Sequence, residues 1–296
     1  MRKPDFLLIG GQKCGTTWAW RMIESHPGTD LPEKKEIHYF GGVENYKKGK
    51  QWYYSHFSNI DKDKVTGEAS TTYLYDRMPF WHNDSNKIEY DDDLPSIPEI
   101  VRSELPDVKI IAILRNPVAR AKSAYLHVLR VAARNHLVRD EMLKVWWSLK
   151  KIALDAPKTR ILEYGFYHKH LSEWYRVFPK EQIRVYIYED DLLPNPMMVL
   201  KDLYGFLDLD SSHVPEDIVK KYNISWGIAS IFLTYFLPGG LKSRGHNKIT
   251  RFLDNSAIAS KALEYQIDDD FLKMQYAEEK EKLEHLLGRP ISWDYS

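Results

Sequence analysis

The chain has 296 residues, of which 42 are basic, 42 are acidic and one is a cysteine. This length accommodates one large α/β domain, and zero net charge excludes the overall basic field that is typical of nucleic-acid-binding proteins. The single cysteine, Cys14, excludes an internal disulfide framework and favours a reducing compartment.

Two further patterns bear on the location of the protein. Residues 1–5 are too few and too polar for a signal peptide, and the most apolar later run, Ile228 to Leu237, has about half the length that spans a bilayer. We therefore expect a cytoplasmic protein with no membrane partner.

The first predicted elements are a strand, a glycine-bearing turn and a helix. Phe6 to Ile9 is a short apolar run that predicts a buried strand, and Trp18 to Ile23 carries apolar residues at helical spacing. Glycines let the intervening backbone turn tightly, and the helix directs its N–H groups and its positive end into the turn. The residues that we expect to hold a phosphate-like anion are Gly11, Gln12, Lys13, Cys14, Gly15, Thr16, Thr17 and Trp18.

This turn differs from the nucleotide-binding pattern GxxxxGK[ST] in the position of its lysine. Gly10 and Gly15 are in register with that pattern, but Thr16 stands where the pattern has lysine, and the lysine lies inside the turn at Lys13. The rearranged turn resembles the 5′-phosphosulfate loop of the sulfotransferases that use 3′-phosphoadenosine 5′-phosphosulfate (PAPS). The resemblance implies that Lys13 stabilises the leaving phosphate. The turn alone leaves open that it binds nothing.

A carboxylate and an imidazole follow in the segment KKEIHYF. Alternate side chains of an extended segment share a face, so we expect Glu36 and His38 to point into one cleft. Otherwise such a charged run is a solvated loop. The segment resembles the KE-x-H-F-F segment of heparan-type and several bacterial sulfotransferases, which implies that Glu36 is the general base. Histidine side chains exchange protons near neutral pH, so His38 stays open as the base or as a residue that orients the acceptor.

The segment GEASTTY follows, with a strand predicted at Val65–Thr66 and a turn at Gly67–Glu68. It resembles the GE-x-[ST]-P-x-Y segment that lines the cleft beside the acceptor in the same family. Ala69 stands where members that modify polysaccharides often have lysine, which argues against a sulfated-polymer acceptor. The acidic run Asp91–Asp93 then lies in an irregular insertion, residues 76–106, which is a solvated loop or a lid.

A second anion site is predicted after the continuous apolar strand Lys109–Leu114. Asn116 and Pro117 favour a helix start, so Arg115 lies at the carboxyl end of a strand, where open α/β sheets bind ligands. Arg115 and Ser123 resemble the 3′-phosphate site of PAPS sulfotransferases. The resemblance implies a bidentate contact from Arg115 and a hydroxyl donor from Ser123.

The last part of the chain contributes scaffold and a closing loop. The strand predicted at Ile183–Tyr188 ends at Glu189, to which the resemblance gives a scaffold role. A second insertion covers residues 222–255, and in the family a loop at this place closes over the adenosine and the 3′-phosphate. An amphipathic helix is predicted from about Asp269 to Leu287. The residues expected in the closing loop are Lys242, Arg244 and Gly245.

Together these segments predict a single domain, residues 1–296, with a P-loop-like three-layer α/β/α fold around a parallel sheet of about five strands. The resemblance implies sulfuryl transfer from PAPS to a hydroxyl or amine of a small-molecule acceptor such as a secondary metabolite, with adenosine 3′,5′-bisphosphate (PAP) as product. No metal is implied, because the lysine–hydroxyl pair that organises Mg²⁺ in P-loop enzymes is missing. The alternatives are an ATP-dependent P-loop kinase, a carbohydrate sulfotransferase acting on an oligosaccharide, and a non-catalytic nucleotide-binding module. The oligomeric state stays open.

Overall fold

The computed structural model describes residues 1–80, 88–134, 148–155, 159–220, 226–236 and 252–294. The chain divides into two compact units. The first contains Met1–Asn116, Phe166–Tyr222 and Glu278–Ser296, and the second contains Pro117–Gly165 and Asn223–Ala277. The single domain with insertions near 76–106 and 222–255 stays a prediction.

The first unit is built on a parallel sheet. The strands, in chain order, are β1 (Phe6–Gly10), β2 (Gly67–Ala69), β3 (Pro79–Phe80), β4 (Glu89–Tyr90), β5 (Lys109–Leu114) and β6 (Ile183–Ile187). The sheet has the order β2-β1-β5-β6 with every neighbouring pair parallel, and β3 and β4 form a separate antiparallel pair. The α/β class is therefore confirmed, with four strands in the parallel sheet of the described residues where about five were expected.

The central strands are continuous apolar runs because both faces of the sheet are covered. All five residues of β1 are buried, and so are the five residues of β5 from Ile110 onward. In the sheet, Leu7 lies opposite Glu68 on one side and Ile110 on the other. This register brings the carboxyl ends of β1, β2 and β5 to one edge of the sheet.

The described residues contain twelve α-helices. In chain order they are α1 (Thr16–Glu24), α2 (Val43–Tyr46), α3 (Lys50–Ser55), α4 (Ile97–Glu104), α5 (Pro117–Arg134), α6 (Leu149–Asp155), α7 (Tyr167–Val177), α8 (Pro196–Phe206), α9 (Ile228–Phe236), α10 (Ala257–Gln266), α11 (Asp269–Gln275) and α12 (Glu279–Leu287). Helices α5, α6, α9, α10 and α11 belong to the second unit, and the others flank the sheet in the first.

Part of the segment predicted to be irregular, residues 76–106, is helical. Helix α4 begins with a capping box, in which the Ser96 side chain accepts from the Glu99 N–H and the Glu99 side chain accepts from the Ser96 N–H. Pro98 occupies one of the first helical positions, where its missing N–H costs nothing. The prediction that residues 76–106 are irregular was therefore wrong for α4. The pattern Ser-x-x-Glu with this proline is a helix-start signal that the sequence contains.

Two element boundaries also differ from the predictions. The strand expected at Val65–Thr66 lies at Gly67–Ala69. Gly67 pairs with Phe6 of β1, and the Phe6 ring packs so closely that a Cβ atom on Gly67 would come within 2.4 Å of it. The helix expected from about Asp269 to Leu287 is two helices, α11 and α12. Tyr276 interrupts them, and its buried hydroxyl donates to the Leu162 carbonyl at 2.9 Å.

The second unit is helical in its described residues. Helix α5 contacts α9 and α11. The Tyr125 hydroxyl donates to Gln266 Oε1 at 2.7 Å, and Lys122 pairs with Asp269 at 2.5 Å. These contacts link the helix that carries Ser123 to the later part of the chain.

Candidate active site at the carboxyl ends of the strands

Residues 10–17 comprise the last residue of β1, the turn that follows it and the first two residues of α1, and are called the 10–17 loop below. Gly15 is the N-cap of α1 and has a φ of 101°, a backbone conformation that favours glycine. A side chain there would also come within 3.2 Å of Leu192. The Gly11 N–H donates to the Ile113 carbonyl at 2.6 Å, which fixes the loop against β5. Local backbone geometry and one contact to the next strand thus define this loop.

The start of α1 turns the 10–17 loop into an anion site. The Trp18 N–H donates to the Gly15 carbonyl at 2.9 Å, where the helical hydrogen-bonding pattern begins. The N–H groups of Thr16 and Thr17 belong to the first turn, where an α-helix provides no carbonyl for them. Because these donors coincide with the positive end of the helix dipole, they favour a negatively charged group in front of the helix.

Two side chains from the predicted donor-binding set contact the rest of the first unit. The Trp18 indole N–H donates to the Ile218 carbonyl at 2.8 Å. Cys14 is fully buried, and its sulfur lies 3.6 Å from the Tyr167 hydroxyl. Both contacts hold the 10–17 loop in place, which is a packing role. A direct part for these two residues in donor binding stays a prediction.

Arg115 follows β5 and reaches the 10–17 loop. One guanidinium nitrogen donates to the carbonyl of Lys13 at 3.4 Å, and the guanidinium lies 5.3 Å from the centre of the Tyr188 ring. The side chain keeps 31% of its surface exposed. The carbonyl of Arg115 accepts from the Tyr167 hydroxyl at 2.8 Å. The two cationic residues predicted from distant parts of the sequence are therefore neighbours.

Glu189 holds the backbone around Arg115. One of its carboxylate oxygens accepts from the Asn116 N–H at 3.1 Å and from the Trp293 indole at 3.0 Å, and the other lies 3.7 Å from Arg115 Nε. The same carboxylate thus ties the end of β5 to the C-terminal segment and orients the guanidinium. Tyr188 and Glu189 act on Arg115 through contacts that the linear sequence does not reveal.

Glu36 and His38 form the second part of the site, within residues 35–40, called the 35–40 segment below. His38 Nε2 lies 3.3 Å from Glu36 Oε2, and Lys35 Nζ lies 3.8 Å from Glu36 Oε1. Both members of the pair are partly exposed, 42% for Glu36 and 32% for His38. The two side chains therefore lie together, and the prediction that they point into one cleft stays a prediction.

The 35–40 segment runs beside the carboxyl end of β2. The Ala69 N–H donates to the Lys35 carbonyl at 3.3 Å, and the Ser70 N–H donates to the Leu8 carbonyl of β1 at 3.2 Å. The pair is therefore connected, through β2, to the edge of the sheet from which the 10–17 loop and Arg115 project.

A buried carboxylate, Glu68, holds this segment from behind. Its Oε1 accepts from the N–H groups of Ile37 and His38 at 3.1 and 3.2 Å, from Ser70 Oγ at 2.6 Å and from the Tyr73 hydroxyl at 2.7 Å. Burial raises the pKa of Glu68, and these donors oppose that rise. The segment GEASTTY was expected to line the cleft, but Glu68, Ser70 and Tyr73 are fully buried. These buried side chains support the 35–40 segment, because Glu68 accepts hydrogen bonds from its backbone and Ser70 and Tyr73 donate to Glu68.

The remaining predicted residues belong to the second unit or lie outside the described residues. Ser123 is on α5 in the second unit and is 9% exposed. The closing-loop residues Lys242, Arg244 and Gly245 lie outside the described residues. Within the described residues, no cluster of three or more His, Cys, Asp or Glu side chains could hold a metal ion, and no helix is long and apolar enough to cross a membrane.

Comparison with known proteins assigns this geometry to a family. The family model described as "Sulfotransferase domain" matches residues 3–225. The chain belongs to the sulfotransferase domain family. The family predicted from the Lys13 loop and its companion segments is thus confirmed.

Individual relatives agree with this assignment. This sulfotransferase domain is 30% identical over 83% of its length to bifunctional heparan sulfate N-deacetylase/N-sulfotransferase 1 of Caenorhabditis elegans. It is 28% identical over 70% of its length to heparan sulfate glucosamine 3-O-sulfotransferase 5 of Homo sapiens. The chain spans 26% and 54% of the lengths of those two proteins. A sulfotransferase from Alicyclobacillus acidocaldarius has the same fold, with a TM-score of 0.63 at 23% identity over 99% of this chain and 98% of that one.

Proposed function

We propose that this sulfotransferase domain transfers a sulfuryl group from PAPS to a hydroxyl or amine of a small acceptor. One observation carries the proposal. The 10–17 loop after β1, Arg115 after β5 and the Glu36–His38 pair beside the end of β2 share one edge of the sheet, and Arg115 donates to the carbonyl of Lys13. A donor with phosphates at two ends needs two anion-binding groups, which the 10–17 loop and Arg115 would provide. An acceptor that must lose a proton needs a base, which the Glu36–His38 pair would provide.

The first part of the proposal concerns the donor. The 10–17 loop offers N–H groups, the positive end of α1 and the ammonium of Lys13, and its sequence GGQKCGTT contains no carboxylate. These properties suit the 5′-phosphosulfate of PAPS. Arg115 would hold the 3′-phosphate, with Ser123 as a second donor and with the closing-loop residues Lys242, Arg244 and Gly245 over the nucleotide.

The second part concerns the chemistry of transfer. The acceptor oxygen or nitrogen attacks the sulfur atom, a bond from sulfur to the acceptor forms, and the bond from sulfur to the bridging oxygen of the 5′-phosphate breaks. Lys13 stabilises the negative charge that develops on that oxygen. Glu36 takes the proton from the acceptor, and PAP leaves with the bonding electron pair.

The acceptor that we propose is a neutral or cationic small molecule, such as a secondary metabolite. Support comes from the zero net charge, from Ala69 in place of lysine and from the acidic run Asp91–Asp93. An oligosaccharide is the second candidate, because the two relatives named above are heparan sulfate sulfotransferases. We also propose a cytoplasmic location and a reaction that needs no metal.

The proposal is tested by incubating the full chain with sulfur-labelled PAPS and a panel of amines, phenols, alcohols and heparan-like oligosaccharides. We expect label in a small acceptor, release of PAP and the same rate with a chelator present. Activity that requires ATP and Mg²⁺ would instead favour a kinase. Tight binding of PAP without turnover over the whole panel would favour a non-catalytic module, and efficient labelling of heparan-like oligosaccharides would overturn the small-molecule acceptor.

A further inference from the structure

Both ring nitrogens of His38 face a polar side chain. Nε2 faces Glu36 Oε2 at 3.3 Å, and Nδ1 lies 2.9 Å from the Oγ1 of Thr72. Thr72 is buried and lies three residues after the end of β2, the strand that pairs with β1. In a neutral imidazole one nitrogen carries a proton and the other accepts, and the partners of the ring decide which is which.

The two partners of His38 differ in what they can do. An ionised carboxylate can only accept, so the contact with Glu36 is favourable only if Nε2 carries the proton. Nδ1 must then accept, and Thr72 has a hydroxyl that can donate to it. The opposite tautomer would face the lone pair of Nε2 toward the negatively charged Glu36.

The backbone of His38 is held as firmly as its ring. Its N–H donates to Glu68 Oε1 at 3.2 Å and to Ser70 Oγ at 3.1 Å. Its carbonyl accepts from Asn45 Nδ2 and from the Gly41 N–H, both at 3.2 Å. The residue has a φ of 59°, which is uncommon outside glycine and needs such support. With the backbone of His38 fixed in this way, its ring stays between Glu36 and Thr72.

From these contacts we propose that Thr72 is a positioning residue, whose hydroxyl donates to Nδ1 and so keeps the His38 ring in the orientation and tautomer in which the Nε2 proton faces Glu36. This inference rests on the proposed function and deepens it, because it decides between the two candidate bases. In this tautomer Nε2 already holds a proton and Nδ1 is turned toward buried Thr72, so neither nitrogen can receive the proton of the acceptor. Glu36 is then the base, and His38 orients its carboxylate.

The first test reads the tautomer directly, without any activity. Two-bond ¹⁵N–¹H correlation spectra of the histidine rings at mildly alkaline pH give the protonation state of each nitrogen, and the His38 signals are those missing from His38→Gln. We expect a protonated Nε2 and an unprotonated Nδ1 in the wild-type chain, and a mixture of both tautomers in Thr72→Val. A protonated Nδ1 in the wild type would overturn the proposal.

The second test measures turnover. Thr72→Val removes the hydroxyl at nearly constant shape, and we expect kcat to fall about tenfold, near the upper limit for one neutral hydrogen bond, with unchanged affinity for PAP. Thr72→Ser should restore most of the loss. The matched control is Thr66→Val. Thr66 is also a buried threonine, but its hydroxyl has no hydrogen-bond partner among the described residues.

The outcomes separate this proposal from the proposed function. Wild-type kcat in Thr72→Val, or an equal loss in Thr66→Val, would contradict a positioning role for Thr72. A wild-type chain that transfers no sulfuryl group would refute the proposed function, while the ring signals would still confirm or overturn the tautomer that Thr72 is proposed to set.

Discussion

The 10–17 loop and the 35–40 segment lie at the same edge of the sheet, but different interactions determine their backbone conformations. The loop is defined by its own backbone, with Gly15 at a φ of 101° and with α1 beginning at Thr16. The 35–40 segment is defined by a side chain about thirty residues further along the chain, since Glu68 accepts from the N–H groups of Ile37 and His38.

This contrast explains why the two regions should respond differently to substitution. In the loop, the functional charge of Lys13 is added to a frame that the glycines and the helix start would form without it. In the segment, the functional pair depends on a buried network, in which four donors converge on Glu68 Oε1. Substitution of Lys13, Glu36 or His38 should therefore leave the backbone of both regions intact. Substitution of the residues that support them should affect the 35–40 segment more than the 10–17 loop.

The largest effect is expected for Glu36→Gln, which removes the proposed base while keeping the shape of the side chain. We expect kcat to fall by about three orders of magnitude, within the range for a general base, with unchanged affinity for PAP. Turnover with excess PAPS and acceptor gives kcat, and calorimetry gives the affinity. His38→Gln is the comparison, with an expected smaller loss. If only His38→Gln abolished turnover, the assignment of Glu36 as the base would be wrong.

A slightly smaller effect is expected for Lys13→Ala in the 10–17 loop. We expect kcat to fall by about two to three orders of magnitude, because a preorganised charge is removed from the site where negative charge develops. Thermal unfolding should stay as in the wild type, since glycine geometry and the helix start define the loop. Lys62→Ala, which changes an exposed lysine before β2, serves as the control. Near-normal turnover in Lys13→Ala would refute its role.

Arg115→Lys should affect binding more than turnover. Lysine keeps the charge but loses the planar fork for a phosphate, so we expect PAP to bind about ten- to a hundred-fold more weakly, the scale of hydrogen bonds to charged groups. Calorimetry with adenosine 5′-monophosphate, which lacks the 3′-phosphate, provides the internal control. The affinity for adenosine 5′-monophosphate should be nearly the same in the wild type and in Arg115→Lys. An equal loss for both nucleotides would show that Arg115 supports the 10–17 loop instead.

The sequence was sufficient where local patterns determine the structure. The apolar run Lys109–Leu114 predicted β5 with its correct bounds, because a strand buried on both faces is continuously apolar. The position of Lys13 between Gly10 and Gly15, taken together with the companion segments, predicted the family, which the match over residues 3–225 confirms. Each of these patterns consists of residues that are neighbours in the sequence.

The sequence was insufficient where tertiary contacts decide. Glu68 and Thr72 lie about thirty residues beyond His38, and nothing local indicates that one holds its backbone and the other its ring. Glu189 was expected to be scaffold, but its link between Asn116 and Trp293 is visible only in three dimensions. The roles of the predicted site residues, from Lys13 to the closing loop, stay predictions that the experiments above address.

The smallest effect is expected for Tyr73→Phe, which removes one of the four donors to Glu68 Oε1. We expect the free energy of unfolding to fall by about 1 to 2 kcal/mol, because a buried carboxylate loses one hydrogen bond. Urea denaturation measures this change.

The matched control for Tyr73→Phe is Tyr204→Phe, which also removes one buried hydrogen bond, from its hydroxyl to the Met22 carbonyl at 2.6 Å. Both variants should lose a similar amount of stability, but only Tyr73→Phe should also lower kcat, because only Tyr73 contacts the carboxylate that holds the backbone of His38. If kcat fell equally in both variants, the loss would reflect general loosening of the first unit, and the distinction between a backbone-defined loop and a network-defined segment would fail.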